Sequence, residues 1–178
     1  MLAVGLRPQG IGPLPTTLTR WAECGQAAAV TLAQLHADPL TSARSPRVWA
    51  VENPAVVAEA LRRFGGRCPP LVCTSGWPNV AAITLLRQLA DAGASLAYHG
   101  DLDGEGLRIA AYVVDKTGAE PWRMAARDYR DAARTDGPPA GRVTDVPWDR
   151  ELGAELRARG VAVPEERVVS LLLQDLGG

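Results

Sequence analysis

Lysine is almost absent from this sequence of 178 residues. Of its 19 basic residues, Lys116 is the one lysine, and all the others are arginines. The chain is also rich in alanine and glycine, a bias that we attribute to a GC-rich genome. This scarcity excludes any mechanism that needs a lysine at a position other than 116.

Cysteine and histidine are also scarce. The three cysteines, Cys24, Cys68 and Cys73, form no CxxC pair, and an odd number of cysteines is typical of reduced thiols in a cytoplasmic protein. Only His36 and His99 could join them as metal ligands, so no zinc site is predicted. We therefore expect a cytoplasmic protein without disulfides.

Long apolar segments are missing as well. No apolar run approaches the roughly 20 residues that cross a bilayer. Residues 1–15 lack a basic start and are interrupted by glycine and proline, so they do not resemble a signal peptide, and no membrane partner is expected. The net charge of −1 argues against nucleic-acid binding by bulk charge but is compatible with a local basic patch.

The composition that remains, 47% apolar and 22% charged, is typical of a folded domain. Between residues 47 and 125, short apolar segments alternate with segments of helical periodicity. This alternation predicts an α/β fold, with a parallel sheet flanked by helices. The predicted strands cover 48–51, 71–73, 95–99 and 120–124, and the predicted helices cover 54–64, 78–92 and 107–116.

The two ends of the chain are predicted to be mainly helical. Residues 1–15 are expected to form a loop, and residues 16–37 two helices that separate near Gly25. After the alternating region we predict helices at 126–134, 149–159 and 164–175 and a short edge strand at 143–146. The chain is accordingly divided into an N-terminal loop and helical segment, 1–46, and an α/β domain with a C-terminal helical extension, 47–178.

Acidic residues follow two of the predicted strands. Glu52 ends the first strand, and Asp101 and Asp103 follow the third in a glycine-rich loop. The carboxyl ends of parallel strands meet at one edge of a sheet, where ligands bind, and clustered carboxylate oxygens suit Mg²⁺. The alternative is that the two aspartates form turns and cap the next helix. Glu52 on a neighbouring strand favours a binding site.

Other acidic-loop motifs fit less well. An EF-hand needs glutamate where Tyr112 stands, and a dinucleotide-binding fingerprint needs glycine where Ile109 stands. A DxD phosphatase of the haloacid dehalogenase type would have threonine or valine in place of Glu105, and it would leave Glu52 without a role. A response-regulator receiver would carry its acidic pair on the first strand, the reverse of the order found here.

A glutamate after the first strand and a DxD after the third resemble the signature of a Toprim domain, the metal-binding module of topoisomerases, primases and related nucleases. Here these residues are Glu52, Asp101 and Asp103, with Gly106 completing DxDxxG. An ordered set of phrases also resembles the C-terminal half of the DUF2399 family. The phrases are LRPQGIGPLP, LAQLHADPL, VENPAVV, CPPLVCTSGWPN, LAYHGDLDGEGLRIA, PWRMAARDY and VPWD.

This resemblance implies a Toprim-like domain over residues 47–178, with residues 1–46 as the remnant of a longer upstream region. The family resembles the A subunit of topoisomerase VI and supplies the nuclease of Wadjet-type bacterial defence systems. It implies cleavage of DNA beside an SMC-like ATPase, a kleisin and a small winged-helix subunit, and it suggests a homodimer. Glu52, Asp101 and Asp103 would be the catalytic residues and the ligands of Mg²⁺ or Mn²⁺, with Glu52 also acting as general base or acid.

Two departures from the family pattern bear on the mechanism. Topoisomerase-like relatives attack DNA with a tyrosine on a separate winged-helix domain. The tyrosines here, Tyr98, Tyr112 and Tyr129, all lie within or just after the Toprim-like segment, so we expect attack by metal-activated water. Glu105 stands where an aromatic or apolar residue is expected, and its role as an additional ligand is left open.

Several other residues have both a functional and a structural interpretation. His99 and Ser75 either contact phosphate or a ligand, or pack at the ends of strands. Four arginines at helical spacing form either a DNA-contacting stripe or a solvated face paired with Asp128 and Asp131. These arginines are Arg123, Arg127, Arg130 and Arg134.

Two alternative functions stay open beside metal-dependent cleavage of DNA. The domain could be a scaffold that binds DNA or partner subunits without cleaving, or a phosphatase acting on small phosphoesters. Binding of Mg²⁺ or Mn²⁺ at millimolar concentration would separate the scaffold from the nuclease.

Overall fold

One β-sheet organises the computed structural model, which describes residues 1–41 and 46–177. In chain order its strands are β1 (Leu2–Val4), β2 (Ala28–Ala29), β3 (Arg47–Val51), β4 (Leu71–Cys73), β5 (Ser95–Tyr98) and β6 (Glu120–Pro121). Across the sheet the six strands follow the order β2-β1-β4-β3-β5-β6.

Helices flank this sheet, and their order agrees with the predicted alternation. Within the described residues they are α1 (Pro13–Glu23), α2 (Leu32–Ala37), α3 (Pro54–Phe64), α4 (Val80–Asp91), α5 (Gly104–Thr117), α6 (Ala126–Ala132), α7 (Leu152–Arg159) and α8 (Glu165–Leu176). A short 3-10 turn at Gly65–Arg67 follows α3. No helix in this part of the chain is both long enough and apolar enough to cross a membrane.

The centre of the sheet confirms the predicted α/β fold. Strands β4, β3, β5 and β6 are parallel, and β3 lies between β4 and β5, with Ala50 opposite both Val72 and Tyr98. Parallel neighbours need crossover connections, which are supplied here by α3, α4 and α5. The carboxyl ends of β3 and β5 therefore lie side by side.

The prediction of a parallel sheet is wrong at one edge. Strand β1 pairs antiparallel with β4, and β2 pairs antiparallel with β1. The first 15 residues are thus not all loop, since Leu2–Val4 is a strand, and Ala28–Ala29 interrupts the segment 16–37 that was predicted to be helical. Unlike β4, which the alternation of strands and helices places, β1 and β2 are short strands outside that alternation, so only their partners in the folded sheet identify them.

The edge strand predicted at 143–146 is also wrong. Val146 forms only an isolated bridge with Asp149, across a tight turn before α7. Its side chain is buried in the core. The apolar character of this segment therefore reflects packing and not sheet pairing.

Capping side chains set where the crossover helices begin. Asn53 Oδ1 accepts the N–H of Ala55 at 2.9 Å at the start of α3, and Asn79 Oδ1 accepts the N–H of Ala82 at 2.9 Å at the start of α4. Helix α5 begins at Gly104, three residues before its predicted start, because Asp103 caps it. Glu52 thus stands immediately before the cap of α3, and Asp103 is itself the cap of α5.

Both ends of the chain contribute to one core. A single cluster of buried apolar side chains extends from Ala3 in β1 to Leu176 in α8, and α8 packs against α3. Residues on either side of the predicted boundary at 46 thus share a sheet and a core. Residues 42–45, next to that boundary, lie outside the described part of the chain.

Candidate functional site

The acidic residues predicted from the sequence meet at the carboxyl ends of β3 and β5. Glu52 follows β3, and Asp101 and Asp103 follow β5. Gly100 lies between them, where an added Cβ would stand 2.8 Å from Glu52 Oε2 and 3.1 Å from the hydroxyl of Tyr98. Glycine at this position therefore lets the Glu52 side chain approach the β5 loop.

The two aspartates each use one oxygen to organise the loop. Asp103 Oδ1 accepts the N–H groups of Glu105 at 2.9 Å and Gly106 at 2.7 Å, which caps α5. Asp101 Oδ1 accepts the N–H of Glu165 at 2.7 Å. The capping interpretation is thus correct for Asp103. Each aspartate nevertheless keeps one free oxygen, since no hydrogen bond within the described residues engages Oδ2 of Asp101 or Asp103.

Electrostatic repulsion concentrates on Glu52. Burial raises the pKa of Glu52 from 4.5 to about 7; the negative charges of Asp101, Asp103 and Glu105 add to this rise, and the backbone N–H of Asp101 opposes it. Burial also raises the pKa of Asp101, with the charge of Asp103 acting in the same direction and the N–H of Glu165 opposing it. Above neutral pH this edge therefore holds several carboxylates that repel one another.

One oxygen at this edge has no protein partner. Glu52 Oε2 is buried and makes no hydrogen bond within the described residues. A buried carboxylate oxygen without a donor is unfavourable, and a divalent cation would satisfy it and reduce the repulsion between the acids. These hard oxygen donors are of the kind that Mg²⁺ prefers.

The acids do not form a closed metal cage. In the described residues, no three histidine, cysteine, aspartate or glutamate side chains converge closely enough to enclose an ion. Mg²⁺ usually binds through only one or two carboxylates and keeps several waters or takes substrate phosphate oxygens. The donors at this edge therefore fit an open Mg²⁺ site and not a cage with three or more protein ligands.

A fourth acid, Glu165, was missed by the sequence analysis. Its side chain is fully buried, with 0% exposed. Its Oε1 accepts the N–H of Glu52 at 3.1 Å, and its Oε2 accepts the N–H of Asn53 at 2.5 Å. Burial and the charges of Asp101 and Glu52 hold the pKa of Glu165 well above its usual value. No local pattern marks Glu165 as part of the site, because glutamate in a first helical turn is common near the positive end of the helix dipole.

The loop after β4 encloses the backbone of Glu52. Ser75 adopts a left-handed conformation with a φ of 61°, and its neighbour Gly76 donates its N–H to the carbonyl of Glu52 at 3.2 Å. Cys73 Sγ lies 3.3 Å from the same carbonyl and 3.6 Å from the hydroxyl of Ser75. Ser75 is thus placed beside the main chain of Glu52.

The side chain of Glu105 is not free in solvent but hydrogen-bonded to Trp77. Its Oε1 accepts the indole N–H of Trp77 at 2.9 Å, and the Trp77 ring lies 6.0 Å from that of Tyr112. This bond joins the loop after β4 to the first turn of α5. The negative charge of Glu105 therefore helps to raise the pKa of Glu52, while one oxygen of Glu105 is already hydrogen-bonded to Trp77.

His99 is enclosed at the end of β5. Its Nδ1 lies 2.8 Å from the carbonyl of Trp122, and its Nε2 is buried without a hydrogen-bond partner in the described residues. Burial lowers the pKa of His99 to about 4, so the ring is neutral at physiological pH. A neutral ring with Nδ1 bonded to a carbonyl offers no positive charge to a phosphate.

The four arginines do not form one free stripe. Arg123 lies before α6 and makes two bonds to Asp175, at 2.5 and 2.6 Å. Arg130 contacts Glu155 at 2.9 Å. The side chain of Arg127 is 82% exposed, and the nearest oxygen of its partner Asp128 is 4.0 Å away. Arg134 lines an open cavity of about 270 Å³ together with Arg159. Contact of these arginines with DNA stays a prediction.

Fold and site together define a class: an α/β protein with an acidic cluster at the carboxyl edge of its central parallel strands. Comparison with known families makes this more specific. The family described as "Protein of unknown function C-terminus (DUF2399)" matches residues 28–176, from β2 to the end of α8, and the match includes every acidic residue discussed above. The chain belongs to the DUF2399 family. No curated protein matches it.

Proposed function

We propose that this protein is a metal-dependent nuclease that hydrolyses phosphodiester bonds of DNA at the edge formed by Glu52, Asp101 and Asp103. The observation that carries this proposal is the state of Glu52. Its Oε2 is buried without a hydrogen bond, and its pKa is raised to about 7 beside further carboxylates. Perturbed acids gathered at the carboxyl end of a parallel sheet are typical of functional sites.

The donor set indicates how a cation would be held. One or two of the free oxygens (Glu52 Oε2 and the second oxygens of Asp101 and Asp103) would bind the ion, and waters or phosphate oxygens would complete its shell. Mg²⁺ or Mn²⁺ is the fitting ion. When bound, such an ion polarises the scissile phosphate and stabilises the negative charge that develops on it.

The residues of the chain would orient the substrate and move protons. Beside the cation, Glu52 would accept a proton from the attacking water or return one to the leaving oxygen, whereas its pKa of about 7 is that of the metal-free protein. The tyrosines supply no accessible nucleophile at this edge, which favours attack by water. Tyr98 is fully buried, and Tyr129 donates its hydroxyl to the carbonyl of Val161 at 2.8 Å. Tyr112 is 38% exposed but lies in α5 more than two helical turns after Asp103.

The Toprim arrangement and the biological setting are part of this proposal. The order of a glutamate after the first parallel strand and a DxD after the third supports a Toprim-type centre. The resemblance to Wadjet nucleases supports action on plasmid DNA beside an SMC-like ATPase, a kleisin and a winged-helix subunit. Identification of these genes beside this one, followed by copurification of their products with the chain, would test this setting.

The cleavage test uses supercoiled plasmid with Mg²⁺ or Mn²⁺, in the presence of the partner subunits. We expect Asp101→Asn and Asp103→Asn to lower the nicking rate by about 100-fold or more, as loss of a transition-state contact does. Asparagine is as good a helix cap as aspartate, so Asp103→Asn removes charge without removing the cap of α5. Asp115→Asn, at an exposed acid paired with Lys116 in α5, is the matched control and should cleave normally.

Undiminished nicking by both site variants would exclude cleavage at this edge. A scaffold without catalysis is the second candidate, and the lack of a group of three converging ligands in the described residues favours it. The scaffold predicts that the wild-type protein binds DNA or partner subunits but neither binds Mn²⁺ at millimolar concentration nor nicks plasmid with any metal.

A further inference from the structure

The buried carboxylate of Glu165 connects the ends of the two strands that carry the acidic site. Its two oxygens accept the N–H groups of Glu52 and Asn53, and its own N–H donates to Asp101 Oδ1. We propose that Glu165 is a positioning residue that sets the separation and orientation of Glu52 and Asp101 for a shared cation. The inference rests on the proposed function, since it assigns a role in that same centre.

The main chain brings Glu165 to this place independently of its side chain. Leu102 and Val163 form a two-bond antiparallel bridge, with N–H to carbonyl distances of 3.0 and 3.1 Å. This bridge joins the acidic loop after β5 to the residues that precede α8. Two residues later, the N–H of Glu165 reaches Asp101 Oδ1, so α8 and the acidic loop are held in a defined register.

The hydrogen bonds of Glu165 determine which oxygen of Asp101 stays free and how the Glu52 side chain is oriented. The N–H of Glu165 occupies Oδ1 of Asp101 and leaves Oδ2 available. On the other strand, Glu165 binds the N–H groups of Glu52 and Asn53 and so fixes the turn from which the Glu52 side chain projects toward the loop. Both oxygens of Glu165 are engaged by main-chain N–H groups and the side chain is fully buried, so it acts through Glu52 and Asp101.

Only a carboxylate of this length fits the position. Each oxygen accepts one N–H, so a glutamine would place its NH₂ group against an N–H donor. Aspartate is one methylene shorter and would not reach both donors from the same backbone. A buried carboxylate close to Glu52 and Asp101 is electrostatically unfavourable. Because this burial lowers stability, the place of Glu165 is explained by its positioning of Glu52 and Asp101 and not by stabilisation of the fold.

The test compares Glu165→Gln with Glu166→Gln in the full chain. Glu166 is the next residue of α8, and its Oε1 accepts the side-chain amide of Asn53 at 2.6 Å. Glutamine at position 166 retains this acceptor, so the control variant keeps its bond. The first measurement is Mn²⁺ affinity by titration calorimetry or electron paramagnetic resonance, at a temperature where circular dichroism shows each variant to be folded.

A second measurement needs neither metal nor variant. Hydrogen exchange by nuclear magnetic resonance reports on the backbone N–H groups of Glu52 and Asn53. In the wild-type protein both should exchange slowly, although they lie in the turn between β3 and α3. If Glu165→Gln does not fold, this exchange still tests whether the two N–H groups are bound.

We expect Glu165→Gln to weaken Mn²⁺ binding by about 10- to 100-fold, as loss of an outer contact to a metal ligand does, and Glu166→Gln to bind as the wild type. Equal Mn²⁺ affinity in a folded Glu165→Gln protein, or rapid exchange of the Glu52 and Asn53 N–H groups in the wild type, would overturn the positioning role. Failure of the wild type to bind Mn²⁺ would instead overturn the proposed metal-dependent function, and slow exchange would still be expected.

Discussion

The acidic edge and the arginines around α6 differ in how their charges are balanced. Arg123 has a bidentate partner in Asp175, and Arg130 lies between Glu151 and Glu155. In the described residues, by contrast, no ion pair involves Glu52, Asp101 or Asp103, and burial together with the charges of neighbouring acids raises the pKa values of Glu52 and Asp101. The net charge of −1 conceals this division.

The paired arginines stabilise the folded chain, whereas the unpaired acids need a bound cation to balance their charge. A paired arginine gains modestly from its partner without any third component. Unpaired, partly buried acids lower the stability of the protein until a cation arrives, which is why such clusters are candidates for function.

Replacement of Glu52 by glutamine should have opposite effects on activity and stability. Loss of the carboxylate removes a metal ligand and a proton acceptor, so plasmid nicking should fall by about 100-fold or more. The same change removes a buried charge, so the metal-free protein should become more stable at pH 8, by about 2 kcal/mol. Nicking and urea denaturation measure the two effects, and a Glu52→Gln protein less stable than the wild type at pH 8 would contradict the electrostatic argument.

Metal-free stability should depend on pH through the same residue. The pKa of Glu52 rises from 4.5 to about 7 on folding, so the folded state holds this proton more tightly. Glu52 therefore contributes favourably to the free energy of unfolding below pH 4.5, and this contribution is lost as the pH rises through about 7. Mg²⁺ should restore it, with a larger increase in Tm at pH 8 than at pH 5, by several degrees.

Differential scanning fluorimetry measures this pH dependence. The Glu52→Gln protein is the control, since its Tm should respond weakly to Mg²⁺ at both pH values. An equal effect of Mg²⁺ at pH 5 and pH 8 in the wild type would show that the ion binds elsewhere.

On the arginine side, the pair of Arg123 and Asp175 should contribute to stability alone. Asp175 Oδ2 also accepts the indole N–H of Trp122 at 2.7 Å, so Arg123→Ala leaves a half-buried carboxylate with one donor. We expect a loss of about 1–2 kcal/mol in the free energy of unfolding, measured by urea denaturation, and unchanged Mn²⁺ affinity. A change in Mn²⁺ affinity would connect the two regions and contradict their separation.

The smallest effect is expected at Arg127, which is exposed and has only a distant partner. Arg127→Ala should alter the free energy of unfolding by no more than about 0.5 kcal/mol. If the arginine stripe contacts DNA, the slope of log affinity against log salt should decrease by about 0.9 for this one phosphate contact. Fluorescence anisotropy with duplex DNA measures the slope, and an unchanged slope would leave Arg127 as a solvated residue.

Local patterns predicted the central strands and the acidic edge well. Glu52, Asp101 and Asp103 follow apolar segments whose alternation with helices indicates parallel strands, and parallel strands bring such residues together. This inference needs only short-range information. The glycine-rich loop and the cap by Asp103 are likewise encoded within a few residues.

What the sequence could not predict depends on contacts between distant segments. Glu165 reaches Glu52 across 113 positions of the chain, and nothing near Glu165 in the sequence indicates this contact. Strand β1 is identified by its partner β4 and strand β2 by its partner β1, and the packing of Val146 imitates a strand pattern. The ion pairs of Arg123 and Arg130 could not be predicted either, because their partners Asp175 and Glu155 belong to other helices.

Titration of the wild-type chain with Mn²⁺ at pH 8 is the most direct test of a metal centre at the acidic edge. We predict saturable binding that is abolished by Asp101→Asn and by Glu52→Gln, and retained by the control Asp115→Asn. Absence of binding at millimolar Mn²⁺, or binding that persists in both site variants, would contradict it.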